Sequence, residues 1–215
     1  MANYKKGIET RSSILNEARK VFNEEGIRLT LDQLAGKLSI TKGRITNYFP
    51  NKDHIFVALS QDYDNNFSQL LNSFDFKGEM AFQQLAEVYS AIMDLQYEYR
   101  SAIVFVATTS SAQIEMHSQI TSSYKTNSEQ MESSIRMLVD NGLVQPEILE
   151  EPNFEIFRFQ IVNLFTTWVI SLEIYYSGRP YNKMKPLYLK GILNCFYPYL
   201  TKKGIQQMSL LEVSV

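Results

Sequence analysis

Three helix-start signals stand within 22 residues of one another near the amino end of the chain. Thr30 begins a capping box, and Thr41 and Asn51 are residue types that cap the N-terminus of a helix. Gly26 offers a left-handed stop to the helix before them, and Pro50 ends the helix that Thr41 opens. A segment punctuated this closely can form only short helices joined by tight turns. We therefore expect three helices before Pro50 and a fourth from Asn51.

Apolar residues continue at helical spacing beyond residue 75, without the two-residue hairpin turns that would indicate a sheet. We predict an all-α chain of about nine helices. It divides into a three-helix head (1–52) and a larger helical domain (53–215), bridged by the fourth helix (Asn51 to Phe74). After this bridge, the sequence predicts helices over about 82–97, 101–109, 120–139, 153–176 and 186–201, with a break at Asn141-Gly142.

Charge is unevenly distributed along the chain, whose net charge is −2. Residues 1–60 hold ten Lys and Arg against six Asp and Glu, whereas residues 61–215 hold eleven against seventeen. A basic head on an acidic body is the distribution expected when the head meets nucleic acid, although an asymmetry of this size also arises by chance.

Cysteine usage and hydropathy indicate the compartment. Cys195 is the single cysteine, so the chain has no disulfide framework and no Cys-rich metal site. The first residues lack the apolar core of a secretory signal. The longest apolar region, 154–176, is interrupted by charged and amide side chains and should not span a bilayer. We expect a cytoplasmic protein without a membrane partner.

Residues typical of catalytic sites are scarce. His54 and His117 are the two histidines, and neither stands at a spacing with carboxylates or cysteine that would build a metal site or a nucleophile–base pair. The sequence also lacks a glycine-rich phosphate loop. It therefore predicts neither an enzyme nor a bound metal or cofactor.

The second and third helices are joined by a short turn at Ser39-Ile40. We expect the small residues Ala35 and Gly36 where the two helices cross. Two short helices held at a steep angle form a helix-turn-helix, whose second helix can lie in the major groove of DNA.

The third helix carries side chains suited to that groove. Lys42 and Arg44, near its amino end, can reach base edges, and Gly43 allows a close backbone approach. Thr46 offers a hydroxyl and a methyl group. The side chains predicted to contact the phosphate backbone are Thr41, Asn47, Tyr48 and Lys52. Those predicted to face the core are Ile45 and Phe49.

Taken in order, these residues resemble the amino-terminal DNA-binding domain of the TetR/AcrR family of bacterial transcriptional regulators, over about residues 8–56. The resemblance rests on Gly26, Thr30, Leu34, Ala35, Thr41, Lys42, Gly43, Tyr48, Phe49, Lys52 and Ile55. It implies a homodimeric, all-helical repressor that leaves its operator when a small molecule fills the larger domain. By motif position it implies base contacts from Lys42, Gly43, Arg44 and Thr46, and sugar-phosphate contacts from Thr30, Asn47, Tyr48 and Lys52.

The sequence departs from the family pattern at three positions. Ser39 stands where the family usually has a turn glycine, so we expect a non-glycine residue with positive φ there. Arg44 replaces a small hydroxyl residue and Thr46 replaces an aromatic one. The DNA sequence that this chain reads should therefore differ from that of commoner members.

The apolar segment 154–176 has hydrophobic residues on nearly all sides, so nearly all sides must be covered. One face can pack within its own domain, and a symmetric second copy would cover another. The predicted interface residues are Phe159, Val162, Val169, Ile170, Leu189, Ile192, Leu193 and Phe196. The alternative is a helix that lies centrally in a monomer. A dimer would present two recognition helices to a pseudo-palindromic operator.

The effector site is indicated only by composition. Aromatic and methionine side chains can line an apolar cavity that offers a few hydroxyls, which suits an apolar or amphipathic small molecule. The candidate lining residues are Tyr89, Met93, Tyr97, Phe105, Tyr124, Phe165 and Trp168. The alternative for each of them is an ordinary place in the core.

Two functions are therefore compared. The first is a DNA-binding transcriptional regulator, a ligand-responsive repressor whose effector shifts the fourth helix and changes the spacing of the recognition helices. The second is a helical protein-interaction module whose helix-turn-helix does not bind DNA.

Overall fold

A computed structural model describes residues 2–74, 81–109, 129–176 and 178–211. These residues form α-helices joined by short turns, and the pairing between Val144 and Leu200 is an isolated bridge rather than a strand. The predicted all-α class is confirmed.

The helices are numbered in chain order. They are α1 (Ala2–Glu25), α2 (Leu31–Lys37), α3 (Lys42–Thr46), α4 (Lys52–Ser73), α5 (Phe82–Glu98), α6 (Arg100–Thr108), α7 (129–140), α8 (Asn153–Ile170), α9 (Tyr181–Leu193) and α10 (Lys202–Leu210). Short 3₁₀-helices cover Pro146–Leu149 and Asn194–Tyr199, and a π-helical segment covers Ser171–Tyr175. The part of the predicted 120–139 helix before residue 129 lies outside the described residues.

The predicted caps of the first helices are confirmed. Thr30 Oγ1 accepts a hydrogen bond from the backbone N–H of Gln33 at 3.3 Å, and Gln33 Oε1 accepts one in return from the Thr30 N–H at 2.8 Å. Thr41 Oγ1 accepts a hydrogen bond from the backbone N–H of Arg44 at 3.3 Å. Asn51 Oδ1 accepts the His54 N–H at 3.0 Å and so caps α4. Each bond satisfies a backbone donor that a helix start would otherwise leave free.

Backbone conformation in the turns also follows the sequence. Gly26 has φ +89° after α1, and Ser39, in the turn between α2 and α3, has φ +54°. Ala35 is buried as expected, but the expectation for Gly36 is wrong. Gly36 is exposed, and a Cβ atom there would meet nothing within 4 Å, because it lies on the outer face of α2.

By contact density the chain divides into two compact units. Unit 1 consists of Met1–Asn66 with Leu95–Ser118, and unit 2 of Phe67–Asp94 with Gln119–Val215. Unit 1 is larger than the predicted three-helix head because Phe105 of α6 stacks on Phe56 of α4, with ring centroids 4.0 Å apart. Phe22 of α1 contacts the same Phe56 ring at 4.6 Å.

Within unit 1, α1 is held to the junction of α5 and α6 by polar groups. The Asn23 side chain donates to the Glu98 carbonyl at 2.7 Å and accepts the Ser101 N–H at 3.1 Å. Nearby, the Tyr99 hydroxyl donates to Asp62 Oδ2 at 2.5 Å. Burial, and then this hydrogen bond, raise the pKa of Tyr99, so the phenol keeps its proton at neutral pH.

Unit 2 has an aromatic core of its own. Phe157 of α8 meets Phe196 at 4.7 Å between ring centroids, and Phe82 of α5 meets Phe196 at 5.5 Å. Trp168 stacks on Tyr181 at 5.8 Å. These edge and stacked contacts bury the apolar surface that the sequence places on α8.

Two elements of unit 2 differ from the predictions. Helix α9 covers Tyr181–Leu193 rather than 186–201, with Pro180 before it, Pro186 inside it and the 3₁₀ segment after it. Helix α10 was not predicted. Thr201 caps α10, and Gln207 within it accepts the backbone N–H of Phe82 at the start of α5, at 3.2 Å.

No helix of the described part of the chain is both long and apolar enough to cross a membrane.

Candidate nucleic-acid interface

Helix α3 is anchored by one face and exposed on the others. Ile45 is fully buried among α1, α2 and α4 residues, and Phe49 follows it into the same cluster, as predicted. Lys42, Gly43 and Arg44 are exposed. Since the buried residue fixes the rotation of the helix, the three residues before it form the outer surface of its first turn.

The Arg44 guanidinium is the positive group in this turn that is available to a ligand. Its side chain makes no ion pair or hydrogen bond with the residues that the structure describes. A Cβ atom added to the neighbouring Gly43 would meet nothing within 4 Å, so the backbone faces open space. A free guanidinium beside an open backbone can make the planar, bidentate contact that a guanine edge accepts.

Lys42, in contrast, already has a partner. Its ammonium lies 2.8 Å from the Asp32 carboxylate, which belongs to the first turn of α2. Both side chains are largely exposed. Thr46 is half-buried, and its hydroxyl donates to the Gly43 carbonyl at 3.3 Å.

The predicted phosphate-contacting residues surround α3 but differ in their freedom. Thr30 and Thr41 use their hydroxyl oxygens as caps, Asn47 is exposed, and Tyr48 is half-buried against the core. Lys52 is the least free, because its ammonium donates to the Ile27 carbonyl at 2.9 Å. It therefore holds the start of α4 to the turn between α1 and α2.

The structure adds residues that the sequence pattern did not single out. A groove of about 520 Å³ runs between α1 and the α2–α3 turn, and Arg44, Lys37 and Lys6 lie along it together with Thr10 and Ser13. Two glutamates, Glu9 and Glu17, also line it, so its charge is mixed. No short-range signal links Lys6 to Arg44, because their proximity arises from the packing of α1.

The residues predicted for a dimer interface fall into two groups. Phe159 is 69 % exposed, and Val162 and Ile170 are half-buried. The other five are covered by unit 2 itself, with at most 7 % exposure: Val169, Leu189, Ile192, Leu193 and Phe196. A second chain cannot reach these five side chains, because other residues of unit 2 already cover them. The other exposed apolar residues of α8, α9 and the 3₁₀ segment after α9 are Ile156, Leu164, Leu187 and Tyr197.

The residues predicted for an effector pocket lie in two units. Tyr89, Met93 and Trp168 are buried in unit 2, where Tyr89 meets Phe165 with ring centroids 4.8 Å apart. Burial raises the pKa of Tyr89, so its hydroxyl is neutral. The two that belong to unit 1 are Tyr97 and Phe105, and Tyr124 lies outside the described residues.

Known proteins share both the amino-terminal sequence pattern and the fold of this chain. The family model of the tetR family of bacterial regulatory proteins matches residues 14–59, which include α2, α3 and the cap of α4. A TetR-family transcriptional regulator from Marinobacter aquaeolei VT8 has a similar fold, with a TM-score of 0.79 at 18% identity over 93% of this chain and 96% of that chain. The amino-terminal domain thus matches the tetR family model, and the chain has the fold of TetR-family regulators.

Two further TetR-fold neighbours have named roles. SmeT, the repressor of a multidrug efflux pump of Stenotrophomonas maltophilia, was solved with triclosan and gives a TM-score of 0.61 at 15% identity over 90% of this chain and 93% of that chain. The ketosteroid regulator KstR2 of Mycobacterium tuberculosis gives 0.60 at 14% identity over 89% of this chain and 95% of that chain. No curated protein matches the sequence.

Proposed function

We propose that this chain is a TetR-family regulator, a ligand-responsive repressor that binds a pseudo-palindromic DNA operator as a homodimer. The observation that carries the proposal is the first turn of α3, where Lys42, Gly43 and Arg44 are exposed beside the buried Ile45. A cationic helix start fixed on a small core matches what a recognition helix needs to enter the major groove.

Within this proposal the contacts have different roles. Arg44, Lys42, Gly43 and Thr46 face base edges, so they determine which sequence is bound. The backbone-contacting side chains are Thr30, Thr41, Asn47, Tyr48 and Lys52. Because Lys52 also binds the Ile27 carbonyl, its replacement would loosen the α1–α2 turn as well as remove a positive charge.

The effector is proposed to bind in unit 2. Tyr89, Met93, Phe165 and Trp168 supply aromatic and thioether surface there, which suits an apolar or amphipathic molecule with a ring. The complex of SmeT with triclosan is a precedent for such a ligand in a protein of this fold. Helix α4 has residues in both units, Lys52–Asn66 and Phe67–Ser73, so a shift of this helix is the proposed route from effector to DNA.

The DNA proposal is tested by selecting bound duplexes from a random library and measuring their affinity by fluorescence anisotropy. Arg44→Ala should weaken the selected site by about 1–3 kcal/mol for each lost guanine contact and relax the preference at one base pair. Lys20→Ala is the matched control, since Lys20 is an exposed cation of α1 paired with Glu17. Equal weakening by both changes, or no duplex binding by the wild-type chain, would favour the protein-interaction module instead.

A further inference from the structure

The ion pair between Asp32 and Lys42 spans the two helices of the helix-turn-helix. Asp32 lies in the first turn of α2, and Lys42 is the first residue of α3. Their charged atoms are 2.8 Å apart, and the two side chains keep 69% and 51% of their exposure. The carboxylate therefore lies on the same open surface as the ammonium that the proposed function assigns to DNA.

This pairing makes the two cations of the α3 turn unequal. Arg44 has no partner among the described residues, whereas Lys42 must leave a carboxylate before it can contact a base or a phosphate. The first helix of a helix-turn-helix crosses the DNA backbone. A carboxylate in the first turn of that helix carries the same negative charge as a phosphate oxygen, and it already binds the ammonium that the proposed function assigns to DNA.

We propose that Asp32 is an affinity-limiting residue, which holds Lys42 in the free protein and competes with DNA for it. The inference rests on the proposed function. It assigns Asp32 a role opposite to that of its neighbours, because removing its charge makes DNA binding tighter.

The size of the effect follows from the exposure of the pair. Exposed ion pairs contribute a factor of about 1.4 to 5 to an equilibrium constant. If both heads of a dimer engage one operator, the factor applies twice, so Asp32→Asn should tighten binding by about 2- to 25-fold. Screening by salt weakens exposed pairs, so the gain should be largest at low ionic strength.

A double-mutant cycle on the full-length chain tests the inference. Affinity for a duplex selected with the wild-type chain is measured for Asp32→Asn, Lys42→Gln and the double variant. If Asp32 acts by holding Lys42, the gain from Asp32→Asn disappears in the Lys42→Gln background. Thermal unfolding of each variant checks that the surface changes leave the fold intact.

Glu25→Gln is the matched control. It makes the same change of charge in unit 1 and releases Lys37 from an ion pair that is also exposed. Its gain should be smaller than that of Asp32→Asn and should persist in the Lys42→Gln background, because Lys37 is not among the proposed contacts.

Several outcomes would overturn the inference. Unchanged or weaker binding by Asp32→Asn would do so, and so would an equal gain with and without Lys42, which would mean that Asp32 merely repels DNA. In both cases the wild-type chain still binds its duplex, so the proposed function stands. Failure of the wild-type chain to bind any duplex would instead remove the proposed function, and this inference with it.

Discussion

Among single residues, Gly204 lies where a side chain has no room. A Cβ atom built on it would be 2.0 Å from the carbonyl oxygen of Leu143. That oxygen also accepts the backbone N–H of Thr201 at 3.1 Å, so it cannot easily move aside. Gly204→Ala should therefore displace α10 from the Leu143 carbonyl. The free energy of unfolding should fall by about 1–3 kcal/mol, as is usual for overpacking. Thermal unfolding followed by circular dichroism measures the change.

The control for this residue is Gly36→Ala. Gly36 is also helical, but a Cβ atom there meets nothing within 4 Å. Alanine favours a helix over glycine by about 0.8–1 kcal/mol, so this change should raise the stability. Equal effects of the two substitutions would show that Leu143 does not confine Gly204.

Also at the residue scale, the sequence specifies local backbone better than it specifies partners. Positive φ is expected at Ser39 because the TetR/AcrR family, which the sequence resembles, usually has a turn glycine there, and Ser39 has φ +54°. The pairing of Asp32 with Lys42 could not be read in the same way. The two residues are ten positions apart, and only the crossing of α2 and α3 brings them together.

At the scale of helices, the Asn23 side chain joins α1 to the α5–α6 junction. Asn23→Ala removes both the donor to the Glu98 carbonyl and the acceptor for the Ser101 N–H. The Glu98 carbonyl is exposed to water and the Ser101 bond is part-buried, so the loss should lie at the lower end of the roughly 1–3 kcal/mol that a buried unpaired group costs. We expect unit 1 to be destabilised by an amount of this order and the Ser101 amide to exchange faster with deuterium. Hydrogen exchange read by NMR measures the amide directly.

Asn16→Ala provides the comparison on the same helix. Asn16 is exposed on α1, and alanine is the better helix former, so stability should be unchanged or slightly higher. If the Ser101 amide exchanged equally fast in both variants, the Asn23 contacts would not be what holds α1 to the junction.

Helices were predictable where their signals are local. The starts of α2, α3 and α4 followed from Thr30, Thr41 and Asn51, because a cap and its helix are neighbours in sequence. The sequence pattern predicts the start of α9 five residues late, since Pro186 is more often found in the first turn of a helix than inside one. Helix α10 was missed because its apolar pattern is short, and its position depends on Leu143, far away in the chain.

At the scale of the whole molecule, we expect the exposed Phe159 to lie at the contact between two copies of the chain. Its side chain is 69% exposed, and Ile156, one turn earlier on α8, is 49% exposed. Burying one such side chain stabilises the dimer by about 1.5–3 kcal/mol, and in a two-fold interface each of the two copies buries its own Phe159. Phe159→Glu would instead place two carboxylates in that interface. We expect the wild-type chain to sediment as a dimer and the variant as a monomer in analytical ultracentrifugation.

The same substitution links assembly to DNA binding. A dimer binds with two heads, and the second contact is intramolecular, so its loss weakens binding far more than the loss of one contact would. Phe159→Glu should therefore reduce operator affinity although the residue lies in unit 2 and outside the DNA-contacting set. Leu210→Glu is the control, because Leu210 is 77% exposed on α10 and lies outside the proposed interface. A dimer that survives Phe159→Glu, or a wild-type monomer that still binds a pseudo-palindrome tightly, would separate DNA recognition from this face of α8.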